Sequence, residues 1–176
     1  GNFSKKDYIP KVNFWTIEEF NQFISYVDDN VYYTLFHTLF FTGMRLGECL
    51  ALNWSDIKED YISINKTLAK GKINGDYVIT TPKTSTSIRK VSIDLKTKEL
   101  LKDLKSYYSK QINFNDKWFV FGGLFALSQT TIGRKKDIYC RKANVKRIKT
   151  HDFRHSHATF LLSRNIPITV ISKRLG

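Results

Sequence analysis

The sequence has little of what builds secreted, disulfide-stapled or membrane-spanning chains. Its two cysteines, Cys49 and Cys140, lie far apart with neither metal-ligand nor redox spacing, so the simple expectation is a reducing cytosol. The longest apolar run, around Leu35 to Phe41, is too short to cross a bilayer and contains His37. No apolar segment follows Lys5 and Lys6, so no signal peptide is expected. Internal repeats and low-complexity stretches are missing, as are a Walker-type phosphate loop and an acidic metal-binding cluster. Neither a metal nor another cofactor is therefore expected. Acidic residues are also scarce: 16 Asp and Glu face 29 Lys and Arg, for a net charge of +13 and a pI near 9.7. That imbalance favours an anionic partner, with nucleic acid the first choice over a membrane.

What is present suits one domain. The 176 residues are 41% hydrophobic and 14% aromatic, enough for a sizeable core. Residues 1 to 14 are polar and mixed, include Pro10, and read as a linker from an upstream portion; residues 15 to 176 read as the domain. Thr16 and Glu19 form a capping box before Ile17, Phe20, Phe23, Ile24 and Val27, which recur at helical spacing. A second helix is expected over about Val31 to Phe41, ending at Gly43, and a third from Arg45 to about Leu52. The period then changes to two in Tyr61–Ile64, Tyr77–Ile79 and Val91–Ile93, with turn signals at Asn74-Gly75 and Pro82-Lys83. These predict three antiparallel strands. Helical spacing returns after Thr97 and again near 128–143, 150–164 and 168–175. The expected class is α+β, mainly α-helical, with one small three-stranded antiparallel sheet.

Three segments carry chemistry. In Thr42-Gly-Met-Arg-Leu-Gly-Glu48, Arg45 follows a glycine turn at the start of a helix, where free backbone amides favour an anion. The competing view makes Arg45 a surface cation and Gly43 a helix stop. In Thr150-His-Asp-Phe-Arg-His-Ser-His157, His151 and Arg154 share a helix face while Phe153, His157, Phe160 and Leu161 form the packing face. An arginine fork binds two phosphoryl oxygens, and a neighbouring neutral histidine can exchange a proton near pH 7. Metal binding by His151 and His155 is the weaker reading, because Arg154 lies within the same turn and no Glu or Cys completes a set. His37, on an apolar helix, is expected to be a hydrogen-bonded core residue. Lys83, in the turn Pro82-Lys-Thr84, could reach a nucleic-acid groove or donate a proton, with Arg89 and Lys90 as close competitors.

These signals occur in one order: an arginine after Thr-Gly, a hairpin lysine, then His-x-x-Arg on a late helix. In that order the chain resembles the tyrosine recombinase (phage integrase) family. Arg45 to Glu48 is similar to the family's Arg-Leu-Gly-Glu box, Lys83 to its hairpin lysine and His151 to His155 to its His-Asp-Phe-Arg-His box. The closing segment from Ile166 to Gly176 resembles the family's helix leading into a Leu-Gly turn, and the resemblance extends from Phe14 onward. The family continues past that turn to a nucleophilic tyrosine. None of the nine tyrosines here lies downstream of His151, so residues 15 to 176 are expected to be a catalytic domain incomplete at its C-terminus, after an absent N-terminal DNA-binding domain.

The resemblance implies site-specific recombination or integration through a 3′-phosphotyrosyl intermediate, without metal or nucleotide, by the integrase of a phage or conjugative element. Arg45 and Arg154 would clamp the scissile phosphate, Lys83 would protonate the departing 5′ oxygen, His151 would assist proton transfer and Glu48 would buttress the site. Double-stranded DNA, a synaptic tetramer and a bacterial cytoplasmic, nucleoid-associated location are implied partners and place. Between Arg134 and Arg154 nine basic residues face two acids, and Arg134, Lys135, Arg141, Lys142, Lys146, Arg147 and Lys149 are the expected DNA contacts. A solvated basic face is the alternative there. For the whole chain, a DNA-binding regulator without chemistry and a type IB topoisomerase are the rivals.

Overall fold

The computed structural model describes residues 12–71 and 77–176. Thr16 caps the first helix, α1 (Ile17–Ile24), with the Thr16–Glu19 box formed in both directions, and Phe20, Phe23 and Ile24 are buried. Asp29 accepts hydrogen bonds from the amides of Val31 and Tyr32 to open α2 (Asn30–Thr42), which ends at Gly43 with φ 70°. This helix is buried on nearly all sides and forms the centre of the domain. A five-residue helix, α3 (Leu46–Leu50), follows directly.

Among the described residues four short strands come next: β1 (Tyr61–Ile64), β2 (Thr67–Lys70), β3 (Tyr77–Thr80) and β4 (Arg89–Ser92). They are followed by α4 (Leu95–Ser109), α5 (Gln129–Ala143), α6 (Asp152–Ser163) and α7 (Ile168–Leu175). The mainly helical α+β class is as expected, and the single three-stranded sheet is corrected to two two-stranded ones. β1 pairs antiparallel with β4, Ile64 opposite Arg89, while β2 pairs antiparallel with β3, Thr67 opposite Thr80. The unexpected strand, β2, has one large apolar residue, Leu68, and so shows no alternation to read. It is held from outside: α3 packs against it, and Gly47 faces the Thr67 hydroxyl and the Leu68 carbonyl. The expected turn at Asn74-Gly75 lies outside the described residues.

An aromatic core joins the first and last thirds of the domain. Phe20 stacks on Phe40 at 4.2 Å between ring centroids, Phe36 on Phe153 at 5.7 Å, and Trp15 meets Phe153 edge-on at 5.4 Å. Trp15 also donates from its indole to the Lys146 carbonyl and from its amide to the Ser156 hydroxyl, both at 2.9 Å. Asn13 donates to the Arg147 carbonyl, and Lys146 lies over the Phe14 ring. His37 is in the core as expected, with Nε2 3.1 Å from the Thr97 hydroxyl.

Gly47 gives the sheet its seat on α3, since a Cβ there would come within 2.6 Å of the Thr67 hydroxyl and 2.7 Å of the Leu68 carbonyl oxygen. The carbonyl is backbone and cannot swing aside. Gly47→Ala should therefore cost about 1–3 kcal/mol of unfolding free energy, read from the denaturant midpoint at unchanged slope. A variant as stable as the parent would mean that β2 moves freely relative to α3.

Candidate active site

The left-handed turn at Gly43 ends α2, buries Met44 and projects Arg45 before α3. The Arg45 amide donates to Glu48 Oε1 at 2.9 Å, while its side chain is 43% exposed. Arg154 comes from the first turns of α6. Its Nη1 donates to the Gly43 carbonyl at 3.0 Å, which ties the two motifs together across the core. The Nη2 atoms of Arg45 and Arg154 each lie 3.4 Å from one carbonyl oxygen, that of Gly176. Two guanidinium groups from distant segments therefore converge on a single oxygen.

This pair is electrostatically strained. Burial, then the charges of Arg45 and Arg89, push the Arg154 guanidinium down to about 10, so it stays cationic at neutral pH at a cost that a bound anion would relieve. His151 stands just before α6 and is exposed. Partial desolvation of its ring, then the neighbouring His155 and Arg154, hold it below the ordinary histidine value and favour its neutral form. Asp152 organises this end of the helix: Oδ2 accepts the Lys149 amide at 2.8 Å and Oδ1 lies 3.0 Å from His155 Nδ1.

Of the expected site residues, the structure brings Arg45, Arg154 and Glu48 together and sets His151 on the same α6 terminus as Arg154. Glu48 is buried at 3% exposure. Lys83 is exposed in the β3–β4 connection, and among the described residues no hydrogen bond or ion pair ties it to this cluster. Arg89, a competitor for the proton-donor role, is fully engaged: it binds both Glu48 oxygens and the carbonyls of Ser87 and Arg174. Lys90 lies over the Tyr61 ring at 5.1 Å.

Two further arginines line the site: Arg89, expected only as a competitor of Lys83, and Arg174, which was not expected at all. Arg89 shares strand parity with the buried Val91, so the period-two pattern that marks Val91 as inward also points Arg89 inward. Arg174 bore no such signal. Its Nη groups reach the Ser92 hydroxyl, the Ser92 carbonyl and the Phe41 carbonyl, and its Nε donates to His157 Nε2 at 3.1 Å. His157 in turn donates from Nδ1 to the Phe40 carbonyl at 2.7 Å.

The basic face is partly occupied by internal contacts. Arg134, Arg141, Lys142, Lys146, Arg147 and Lys149 are exposed, whereas Lys135 is half-buried over Tyr32. Arg147 pairs with Asp137 at 3.1 Å, and Lys142 lies over Tyr139. Lys136 points inward, bonded to the Ile148 carbonyl and to Asp137.

With fold and site in view, the chain belongs to the phage integrase family, which it matches over residues 13–176. It is 36% identical over 174 residues to the ICEBs1 integrase of Bacillus subtilis (strain 168), covering 94% of this chain and 47% of that protein. It is 31% identical over 145 residues to the integrase of Staphylococcus phage L54a, covering 77% of this chain and 41% of that one. The chain thus spans about half the length of these relatives. Its fold matches the integrase of the Tn1549 transposon, solved in complex with transposon right-end DNA, with a TM-score of 0.79 at 19% identity over 97% of this chain and 59% of that one. Among the described residues no helix is long and apolar enough to cross a membrane.

Burial pushes both His37 and His157 down to about 4, so both are neutral in the fold. An unfolded histidine takes up a proton below about 6.5, so the unfolded state binds more protons in the window between. Stability should be fully present above pH 6.5 and decline as pH falls toward 4. In His37→Gln, one linked group is gone, and the slope of unfolding free energy against pH from 6.5 to 5 should be shallower than in the parent.

Proposed function

We propose that this chain is the catalytic domain, residues 15 to 176, of a site-specific DNA recombinase that integrates a phage or conjugative element. The observation that carries the reading is the convergence of Arg45 and Arg154 on one oxygen, in a site whose like charges call for an anion. The substrate is a phosphodiester of duplex DNA at an attachment site. Arg45 and Arg154 hold its non-bridging oxygens and stabilise the charge of the pentacoordinate transition state. A tyrosine, expected from the resemblance downstream of Gly176, attacks phosphorus as His151 takes up its proton. The phosphotyrosyl bond forms as the bond to the 5′ oxygen breaks, and Lys83 gives that oxygen a proton. Attack by a 5′ hydroxyl of the partner strand reverses these steps and rejoins the DNA. The exposed cations from Arg134 to Lys149 contact flanking phosphates, and recombination takes place in a synaptic tetramer on cytoplasmic, nucleoid DNA.

Two experiments test this. In the full-length protein, Arg45→Ala or Arg154→Ala should lower cleavage about 100-fold or more with little change in DNA affinity. Lys83→Ala should be rescued by a substrate whose 5′ leaving oxygen is replaced by sulfur, which departs without protonation, and the arginine variants should not be. Rescue of Arg154→Ala by sulfur, or failure to rescue Lys83→Ala, contradicts the assigned roles.

For the chain itself, DNA affinity should fall steeply with salt. Replacing Arg141 and Lys142 together with Ala should flatten the log–log salt slope by about two units. An unchanged slope would remove these two cations from the DNA interface.

A further inference from the structure

We propose that Arg89 is a positioning residue for DNA cleavage: it holds the Glu48 carboxylate away from the Arg45 guanidinium and so keeps Arg45 free for the phosphate. The inference rests on the recombinase reading of the same site. Arg89 opens β4 with its side chain 7% exposed, and the Glu48 side chain is 4% exposed. Its Nη1 donates to Glu48 Oε2 at 2.8 Å and its Nη2 to Glu48 Oε1 at 3.0 Å, a two-pronged charged contact. Nη1 also reaches the Ser87 carbonyl at 2.9 Å, and Nε the Arg174 carbonyl at 2.8 Å. The fork is fixed on three sides.

Glu48 is shared between two cations, and the sharing is unequal. Arg45 Nη1 stays 3.7 Å from Glu48 Oε2, beyond a hydrogen bond, while the Arg45 amide holds Oε1 at 2.9 Å. A buried carboxylate without a partner is costly, so if Arg89 were neutral Glu48 would draw in the nearest remaining cation. That cation is Arg45, whose side chain is 43% exposed, lies 3.7 Å from Glu48 and, among the described residues, makes one long hydrogen bond, to the Gly176 carbonyl. Turned toward Glu48, its charge would be neutralised and its donors directed away from the phosphate. Arg89 also lies under the end of α7, where a Cβ on Gly176 would come within 2.9 Å of its guanidinium.

The test uses the full-length recombinase and a nicked attachment-site duplex that traps the covalent adduct. The readout is the first-order cleavage rate of the DNA-bound complex at saturating enzyme, with DNA affinity and melting temperature measured in parallel. Arg89→Gln should bind DNA as the parent does and cleave about 100-fold more slowly. Adding Glu48→Gln to it should recover at least about tenfold of that rate, because a neutral amide no longer competes for Arg45. A merely structural role would lower the melting temperature and the bound fraction but leave the rate of the bound complex unchanged. An Arg89→Gln complex cleaving within about threefold of the parent, or a double variant as slow as the single one, overturns the proposal. If Arg89→Gln does not fold, Arg89→Lys carries the test: one charged contact in place of two should slow the bound complex about tenfold, and a parental rate overturns the proposal. Should the parent itself form no adduct, the recombinase reading fails; should parent and variants cleave alike, only the role of Arg89 does.

Discussion

Two positive charges held against one another are the constraint around which this domain is arranged. Arg45 and Arg154 approach a common oxygen, although burial and mutual repulsion both oppose keeping Arg154 charged there. The fold meets that cost with a fixed acceptor, the Gly43 carbonyl, which takes one Arg154 nitrogen, while the Glu48 carboxyl stands 3.7 Å from the Arg45 guanidinium. These partners leave the outer nitrogens of both groups pointing at the same place. A polyanion gains most from such a site, because its charge relieves repulsion already present rather than having to organise donors as it binds.

Holding the pair requires rigidity at long range, and the aromatic core supplies it. Arg45 follows α2 and Arg154 rides on α6, so the distance between them is set by how those helices pack. Phe36 stacked on Phe153 and the His157 bond to the Phe40 carbonyl fix that packing at two points. Gly43 permits the close approach: its left-handed backbone turns the chain toward Arg45, and a Cβ there would lie 2.5 Å from the His157 ring. Arg174 then fastens α7 to α2 and β4 through the Phe41 and Ser92 carbonyls and to α6 through the His157 ring. Core and site are thus one mechanical unit.

The basic composition is used at two depths. Lys136, Arg89 and Arg174 are turned inward and matched by carbonyls, carboxylates or a neutral imidazole, which makes them part of the framework. Others remain on the surface, several lying over aromatic rings that restrict the side chain without cancelling its charge. A net charge of +13 therefore overstates the number of cations free to meet a ligand.

The sequence by itself determined the helical framework and the ordered motifs, because both depend on spacing along the chain. The Thr16 capping box, the α2 stop at Gly43 and the His151–Arg154 turn follow from local hydrogen-bond geometry that a few neighbouring residues dictate. Strand pairing and the roles of Arg89 and Arg174 were decided only by tertiary structure. β2 exists because α3 and β3 flank it, with one large apolar residue of its own to announce it. Strand parity turns Arg89 inward without naming its partners, and Arg174 looks like any of the 29 basic residues until the fold brings acceptors against it. The physical reason is the same in each case: periodicity records which face a residue turns, whereas the worth of a charge or a strand edge depends on what the rest of the chain brings against it.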